Sequence, residues 1–263
     1  MPILPPELQR QIFEVAVRSN RYDTTLKLNL SLTARHVRTW VDWVYYELVA
    51  IQDDHDVNRF LKLAKLKEPV FFNVNVKTLI FSGSIPAESA AQILSLCSGI
   101  RAMSFWIFNP LQSLVLQLRQ LSLSRLFTRC NHFMQLLSLD PSPWLSVTHL
   151  ELAIQTVDQT HGFQHLTQLP SLTHVLLAQA HSPSAAKMVC QSCPSLQILL
   201  IVYYSFPHVD AIGLYSFDPR IVVGPLFTDL VRDWKGVHDI WADAERVLAK
   251  QIISQQQKAS SSS

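Results

Sequence analysis

The side chains best suited to chemistry are His149, Glu151 and His174. Two imidazoles and a carboxylate could exchange protons or ligate a metal if the fold closed them into one cavity. A His-x-Glu pair in an extended strand does put both groups on one face, because strand side chains alternate. Cys190 and Cys193 form C-x-x-C, but Pro194 and Ser195 follow, and neither a second such pair nor histidines at zinc spacing lie beyond. With Cys97 and Cys130 they are too few and too unevenly placed for a disulfide framework. Phosphate loops, Gly-x-Ser-x-Gly and His-Glu-x-x-His are missing from the sequence. The ten histidines are otherwise scattered, so the inventory predicts no catalytic residue, no metal and no cofactor. It points to recognition instead.

The elements that would position these residues follow from a repeated pattern of apolar, two variable, apolar, one variable, apolar. It occurs at Val76-Leu79-Phe81, Ile100-Met103-Phe105, Leu118-Leu121-Leu123, Val147-Leu150-Leu152, Leu172-Val175-Leu177 and Leu196-Leu199-Ile201. Successive copies start 24, 18, 29, 25 and 24 residues apart, the step of a leucine-rich solenoid with irregular insertions. Residues 86–97, 162–169 and 183–193 suit short helices between the strands. Parallel strands on one face and helices on the other are therefore expected over 76–226, with Ile221, Val222 and Val223 as a degenerate last strand. An ordinary α/β sheet is the alternative; the short regular step and the lack of a glycine-rich strand-to-helix turn favour repeats.

The pattern aligns side chains in rows on the open face of the sheet. One row reads Thr78, Ala102, Gln120, His149, His174, Ile198, and the next Ile80, Ser104, Ser122, Glu151, Leu176, Leu200. Trp106 leads the polar end of a third row. A target-binding surface is thus expected at Trp106, Gln120, Ser122, His149, Glu151, His174, Leu176 and Leu200, with Trp106 and Glu151 as its anchors. The apolar end is either an exposed binding patch or the seat of the C-terminal helix. That helix, expected over 227–254, carries Val231, Trp234, Val237, Ile240, Trp241, Ala244, Val247 and Leu248 at three- and four-residue steps and would cap the last repeat. A polar, disordered tail is expected over 255–263.

The N-terminus reads differently. Pro5 and Pro6 suit the first turn of a helix, Glu7 complements its dipole, and Leu8, Ile12, Val15 and Ala16 make one apolar face with Phe13 and Val17 beside it. Two faces exceed what one helix can bury in its own small module. After a polar break come Leu26, Leu28, Leu30 and Leu32, then Val37, Trp40, Val41 and Val44 at helical spacing. The run Leu-Pro-x-Glu-Leu, Ile-Phe, then Leu-Ser-Leu-Thr-Ala-Arg-His-Val-Arg resembles an F-box. Leu4, Pro5, Glu7, Leu8, Ile12 and Phe13 match its opening, and Leu30, Leu32, Arg35 and Arg38 its second half. The resemblance implies a helical module over 1–50 that docks on the Skp-type linker subunit of a cullin-RING ubiquitin ligase through Leu4, Pro5, Glu7, Leu8, Ile12, Phe13, Leu30 and Leu32. A linking helix would occupy 51–75. An F-box joined to such repeats resembles the F-box proteins with leucine-rich repeats, in which the repeats choose the substrate.

Composition narrows the alternatives. Charged residues are 16% and hydrophobic ones 48%, so a core-rich α/β protein is expected: a small N-terminal helical module, then the repeat solenoid, then the capping helix. A net charge of +2, with Lys62, Lys65 and Lys67 on the wet side of a helix, argues against nucleic acid, and no apolar run reaches membrane-span length. No secretory signal is visible, which predicts a cytoplasmic or nuclear protein. The reading is a non-catalytic adaptor that joins the linker subunit to an unknown target protein. The rival is an interaction module whose N-terminal helices only cap the repeats; burial or exposure of Pro5, Ile12 and Phe13 separates the two.

Overall fold

A computed structural model describes residues 4–20, 23–83, 85–107, 114–154, 162–178, 183–203, 217–224, 234 and 239–261. Three helices come first: α1 (Pro6–Ser19), α2 (Thr24–Thr33) and α3 (Arg35–Tyr46). Helix α1 starts at Pro6 with Glu7 in its first turn. Helix α2 forms although its leucines alternate as a strand's would, because Asp23 caps it by accepting the Leu26 N–H at 2.8 Å. Val17, Val37, Val41 and Val44 make the module's own core, with Phe13, Leu30 and Trp40 packed against it.

The sheet begins earlier than the repeat pattern predicts. Strand β1 (Leu48–Ile51) follows α3 directly, and 51–75 holds two helices, α4 (Asp54–Ala64) and α5 (Phe71–Asn75), rather than one. Then come β2 (Thr78–Gly83), α6 (Ala87–Leu96), β3 (Ala102–Ile107), α7 (Val115–Leu118), β4 (Arg125–Arg129) and α8 (Cys130–Leu139). A 3₁₀ turn (Ser142–Trp144), β5 (His149–Ala153), a 3₁₀ helix (Phe163–Gln168), β6 (His174–Ala178), α9 (Pro183–Ser192), β7 (Ile198–Val202) and β8 (Ile221–Val223) complete the sheet. Its eight strands are all parallel and lie in chain order. The core fills the space between the sheet and its crossovers: Leu79, Phe81, Met103, Phe105, Leu126, Leu150, Leu152, Val175, Leu177, Leu199 and Ile201 all point into it.

One repeat is misplaced in the sequence reading. Leu118, Leu121 and Leu123 are buried, but Leu118 ends α7 and the other two lie before the strand. Register pairs Met103 with Leu126 and Phe105 with Thr128, so the third copy is Leu123-Leu126-Thr128. Copies then start at 76, 100, 123, 147, 172 and 196, steps of 24, 23, 24, 25 and 24 residues. The 18- and 29-residue irregularities disappear. A polar third position, Thr128, hid the true strand.

The C-terminal helix α10 spans Ile240–Ser261, well past residue 254, so the segment up to 261 is helical rather than a disordered tail. Of its expected apolar stripe, Val231 and Val237 lie outside the described residues. Among the described residues no helix is long and apolar enough to cross a membrane.

Candidate functional site

On the open face the corrected register stacks Thr78, Ala102, Arg125, His149, His174 and Ile198 in one row and Ile80, Ser104, Phe127, Glu151, Leu176 and Leu200 in the next. Gln120 and Ser122 leave both rows: each is exposed in the segment between α7 and β4, off the sheet. Arg125 and Phe127 take their places.

His149, Glu151 and His174 do converge. Their imidazoles stack with centroids 4.3 Å apart, and the Trp241 ring of α10 meets each edge-on at 5.3 Å. Thr148 Oγ1 and Thr173 Oγ1 lie 2.9 and 2.8 Å from the Nδ1 atoms of His149 and His174, fixing both rings. Glu151 has no exposed surface. Its carboxylate accepts from Arg125 Nε at 2.6 Å, Trp234 Nε1 at 2.9 Å and Trp241 Nε1 at 3.1 Å. The Arg125 guanidinium also lies 4.3 Å from the Trp234 ring centroid. Three donors and complete burial leave this carboxylate no access to a substrate. Burial, then the charge of His174, holds the His149 imidazole down at about 4, and burial lowers that of His174 as well. The group is a structural polar knot, not an acid–base pair facing a cavity.

The apolar end of the face is filled. Leu176, Ala178, Ile198, Leu200, Val202 and Val222 form a second core with Ile240, Trp241 and Ala244 of α10. Leu176 and Leu200 are therefore not a target surface, and His149, Glu151 and His174 lie under the same helix. Of the expected target residues in the sheet rows, Trp106 alone keeps clear of α10: half-buried, it stacks on Phe127 at 5.4 Å with the Arg129 guanidinium 4.9 Å from its centroid. Arg125, Trp234 and Trp241, the partners of Glu151, escaped the sequence reading as site residues. The two tryptophans stood in the capping stripe, but nothing local links them to a residue 83 or 90 positions away.

The N-terminal residues separate into two sets. Phe13 and Leu30 are half-buried and serve the module's core, Phe13 lying 6.3 Å from Trp40. Leu4, Pro5, Glu7, Leu8, Ile12 and Leu32 are exposed. Ile12 keeps 55% of its surface, Val15 62% and Leu32 75%. The module meets the sheet through α3, whose Tyr46 packs edge-on against Phe71 and Phe72 of α5 and whose Asp42 binds Lys67 at 2.9 Å. Helix α1 carries its second apolar face away from that junction.

The C-x-x-C thiols are unsuited to redox work. Burial pushes both Cys190 and Cys193 up to about 12, and all four cysteines are free. Arg220 ties this region together, pairing with Asp218 at 2.7 Å and donating to the Cys190 and Leu196 carbonyls. Among the described residues, Asp53, His55 and Asp56 come close enough to share a cation. Asp53 is the N-cap of α4, bonding the Asp56 N–H, and Asp56 accepts the Gln52 N–H, so their placement has a structural reason. No protein-family model matches the chain, and no curated protein matches its sequence.

Proposed function

We propose that the chain is the substrate-recognition adaptor of a cullin-RING ubiquitin ligase, with α1 and α2 as the docking face for the Skp-type linker. The observation that carries this reading is the exposure of Leu8, Ile12 and Val15 along one side of α1, with Leu4 exposed just before the helix; Leu28 and Leu32 of α2 are exposed as well. Such a contiguous apolar stripe in a small helical module is costly to leave wet and suits a partner's groove. Burying the rest of each half-exposed side chain is worth on the order of 1 kcal/mol. The F-box resemblance of the same residues supplies the identity of the partner.

The parallel sheet, with its repeat step of 23 to 25 residues, is read as leucine-rich-repeat-like and serves as the rigid body that holds a target protein. Trp106 is the anchor assigned to that contact, since α10 fills the apolar end of the face. In this reading no residue of the chain does bond chemistry; positioning is the whole mechanism. The rival reading, N-terminal helices as a simple cap, has the α3 junction in its favour. That junction uses Tyr46 and Asp42 and engages α1 through the Arg18–Glu47 pair, which leaves the apolar face of Leu8, Ile12 and Val15 unused and favours docking.

The test is co-purification of the full chain with the Skp-type linker, wild type against Leu8→Asp with Ile12→Asp. Capture by the wild type and its loss in a variant that keeps the wild-type circular dichroism supports the adaptor. A folded wild type that captures no linker refutes it.

A further inference from the structure

A cleft of about 630 Å³ opens between α2, α3 and the α4 side of the sheet. Four cations line it, Lys27, Arg38, Arg59 and Lys67, against one carboxylate, Asp42. Asp42 is already engaged by Lys67 at 2.9 Å. Lys27 is half-buried, its ammonium 3.1 Å from the Tyr45 ring centroid and 4.8 Å from that of Tyr46. The guanidinium groups of Arg38 and Arg59 make no ion pair and no hydrogen bond among the described residues. A fold gains nothing from gathering positive charges in a concave, partly desolvated place unless something negative enters it.

Burial, with the charges of Lys67 and Arg59 behind it, pushes the Lys27 amine down to about 8 despite the pull of Asp42. The same cleft offers the hydroxyls of Thr24, Thr25 and Ser31 as further donors. Its volume falls in the range of sites for small organic ligands and is many times that of one phosphate ion. Lysine and arginine together, with hydroxyl donors, are the set that recognises phosphate oxygens.

We propose that this cleft binds a compact anion bearing two or more phosphate groups, either free polyphosphate or a small phosphorylated organic molecule. Its walls belong to both the helical module (Lys27, Arg38) and the first crossover of the sheet, between β1 and β2 (Arg59, Lys67), so the ligand braces the angle between them. The cleft's α2 wall includes Leu28 and Leu32, which the adaptor reading assigns to docking, but its cations lie off α1 and their test needs no linker subunit, so the two proposals can fail separately.

The experiment is isothermal titration of the full chain with pyrophosphate and with ATP, without magnesium and at ionic strength held constant with sodium chloride. The variants are Lys27→Met with Arg59→Met, and separately Arg38→Glu, all surface or half-buried changes checked by circular dichroism. Saturable binding by the wild type, weakened at least about tenfold in the double variant, is expected. Binding of both compounds assigns the site to the phosphates alone, and binding of ATP only assigns it to a phosphorylated organic molecule; each supports the proposal. Heat no different from the sodium chloride control with both compounds overturns it, and so does binding undiminished in the double variant. Should the double variant lose its fold, Arg38→Glu decides in the same way, since Arg38 is exposed and makes no structural bond.

Discussion

Glu151→Leu is the substitution that most directly tests how the C-terminal helix is held. The carboxylate has no exposed surface and accepts three donors, from Arg125 on β4, Trp234, and Trp241 on α10. Leucine fits the space but strands two indole N–H groups, each worth roughly 1–3 kcal/mol when left without an acceptor. It also removes one member of a buried ion pair, a change that typically costs about 3–5 kcal/mol. These overlap rather than add, and leucine recovers some apolar burial. The expected loss is about 3–5 kcal/mol, a large part of the 5–15 kcal/mol typical of a whole domain, and lowers the melting temperature by roughly 10 °C. Trp241→Phe keeps a ring over the histidine pair and leaves Glu151 two donors, so it costs less, about 1–2 kcal/mol. Urea unfolding followed by tryptophan fluorescence measures both. Trypsin supplies the local readout, because Arg246 and Lys250 become cleavable in the native state once α10 lifts. Glu151→Leu within about 1 kcal/mol of wild type, with α10 still resistant, refutes the idea that the carboxylate pins the helix.

Other expectations follow from the same geometry. The His149 imidazole is held at about 4 against an ordinary value near 6.5, so between those values the unfolded chain binds more protons than the folded one. This residue's contribution is then complete above about pH 6.5 and falls as pH drops toward 4, by on the order of 1 kcal/mol once solvent screening of the partly exposed ring is allowed for. Urea midpoints across that window measure the slope, and His149→Phe reduces it, leaving the share of His174, which burial shifts in the same direction. Thr128 Oγ1 is buried with no hydrogen-bond partner among the described residues, beside a small void lined by Phe105 and Phe133. Thr128→Val keeps the shape, loses the orphan hydroxyl, and is expected to stabilise by up to about 1 kcal/mol in the same assay. Burial raises all four thiols to about 12, so a thiol-reactive dye at neutral pH labels the native chain far more slowly than the urea-unfolded one. Rapid native labelling of Cys190 or Cys193 contradicts that.

How far the sequence carried depended on the distance over which each feature is encoded. The first helix, its surplus apolar face and the crossover helices near 87, 163 and 183 are local, set by proline position and apolar spacing, and they stand where the spacing puts them. The stacking of His149 on His174 was legible too, because one correct repeat step carries each strand position onto its neighbour. The third repeat failed because burial and strand are different properties. Leu118, Leu121 and Leu123 all face the core, one from a short helix and two from the segment after it, while the real strand puts Thr128 at a position the pattern demands be apolar. Strand β1 failed for a similar reason: four residues directly after a helix, 30 positions before their partners in β2, carry no repeat to extend.

The open face shows the deeper limit. A row of alternating strand residues states which side chains share a surface, but not whether that surface is wet. Leu176 and Leu200 would be an interface on an isolated sheet and are a core beneath α10. The sign that a cover exists was in Glu151. A carboxylate between two histidines, on a face turning apolar toward the later strands, needs donors from elsewhere if it is to lose water. Besides Arg125 on the neighbouring strand, the donors the chain supplies are indole N–H groups, whose rings bury apolar area while their nitrogens bond the acid. The tryptophans at 234 and 241 thus do two jobs, and a stripe analysis that scores them only as apolar sees one. The same reasoning runs in reverse at α1, where Leu8, Ile12 and Val15 stay exposed and no described segment of the chain covers them. A face that the chain covers with its own helix in one place and leaves bare in another marks where an outside partner is expected.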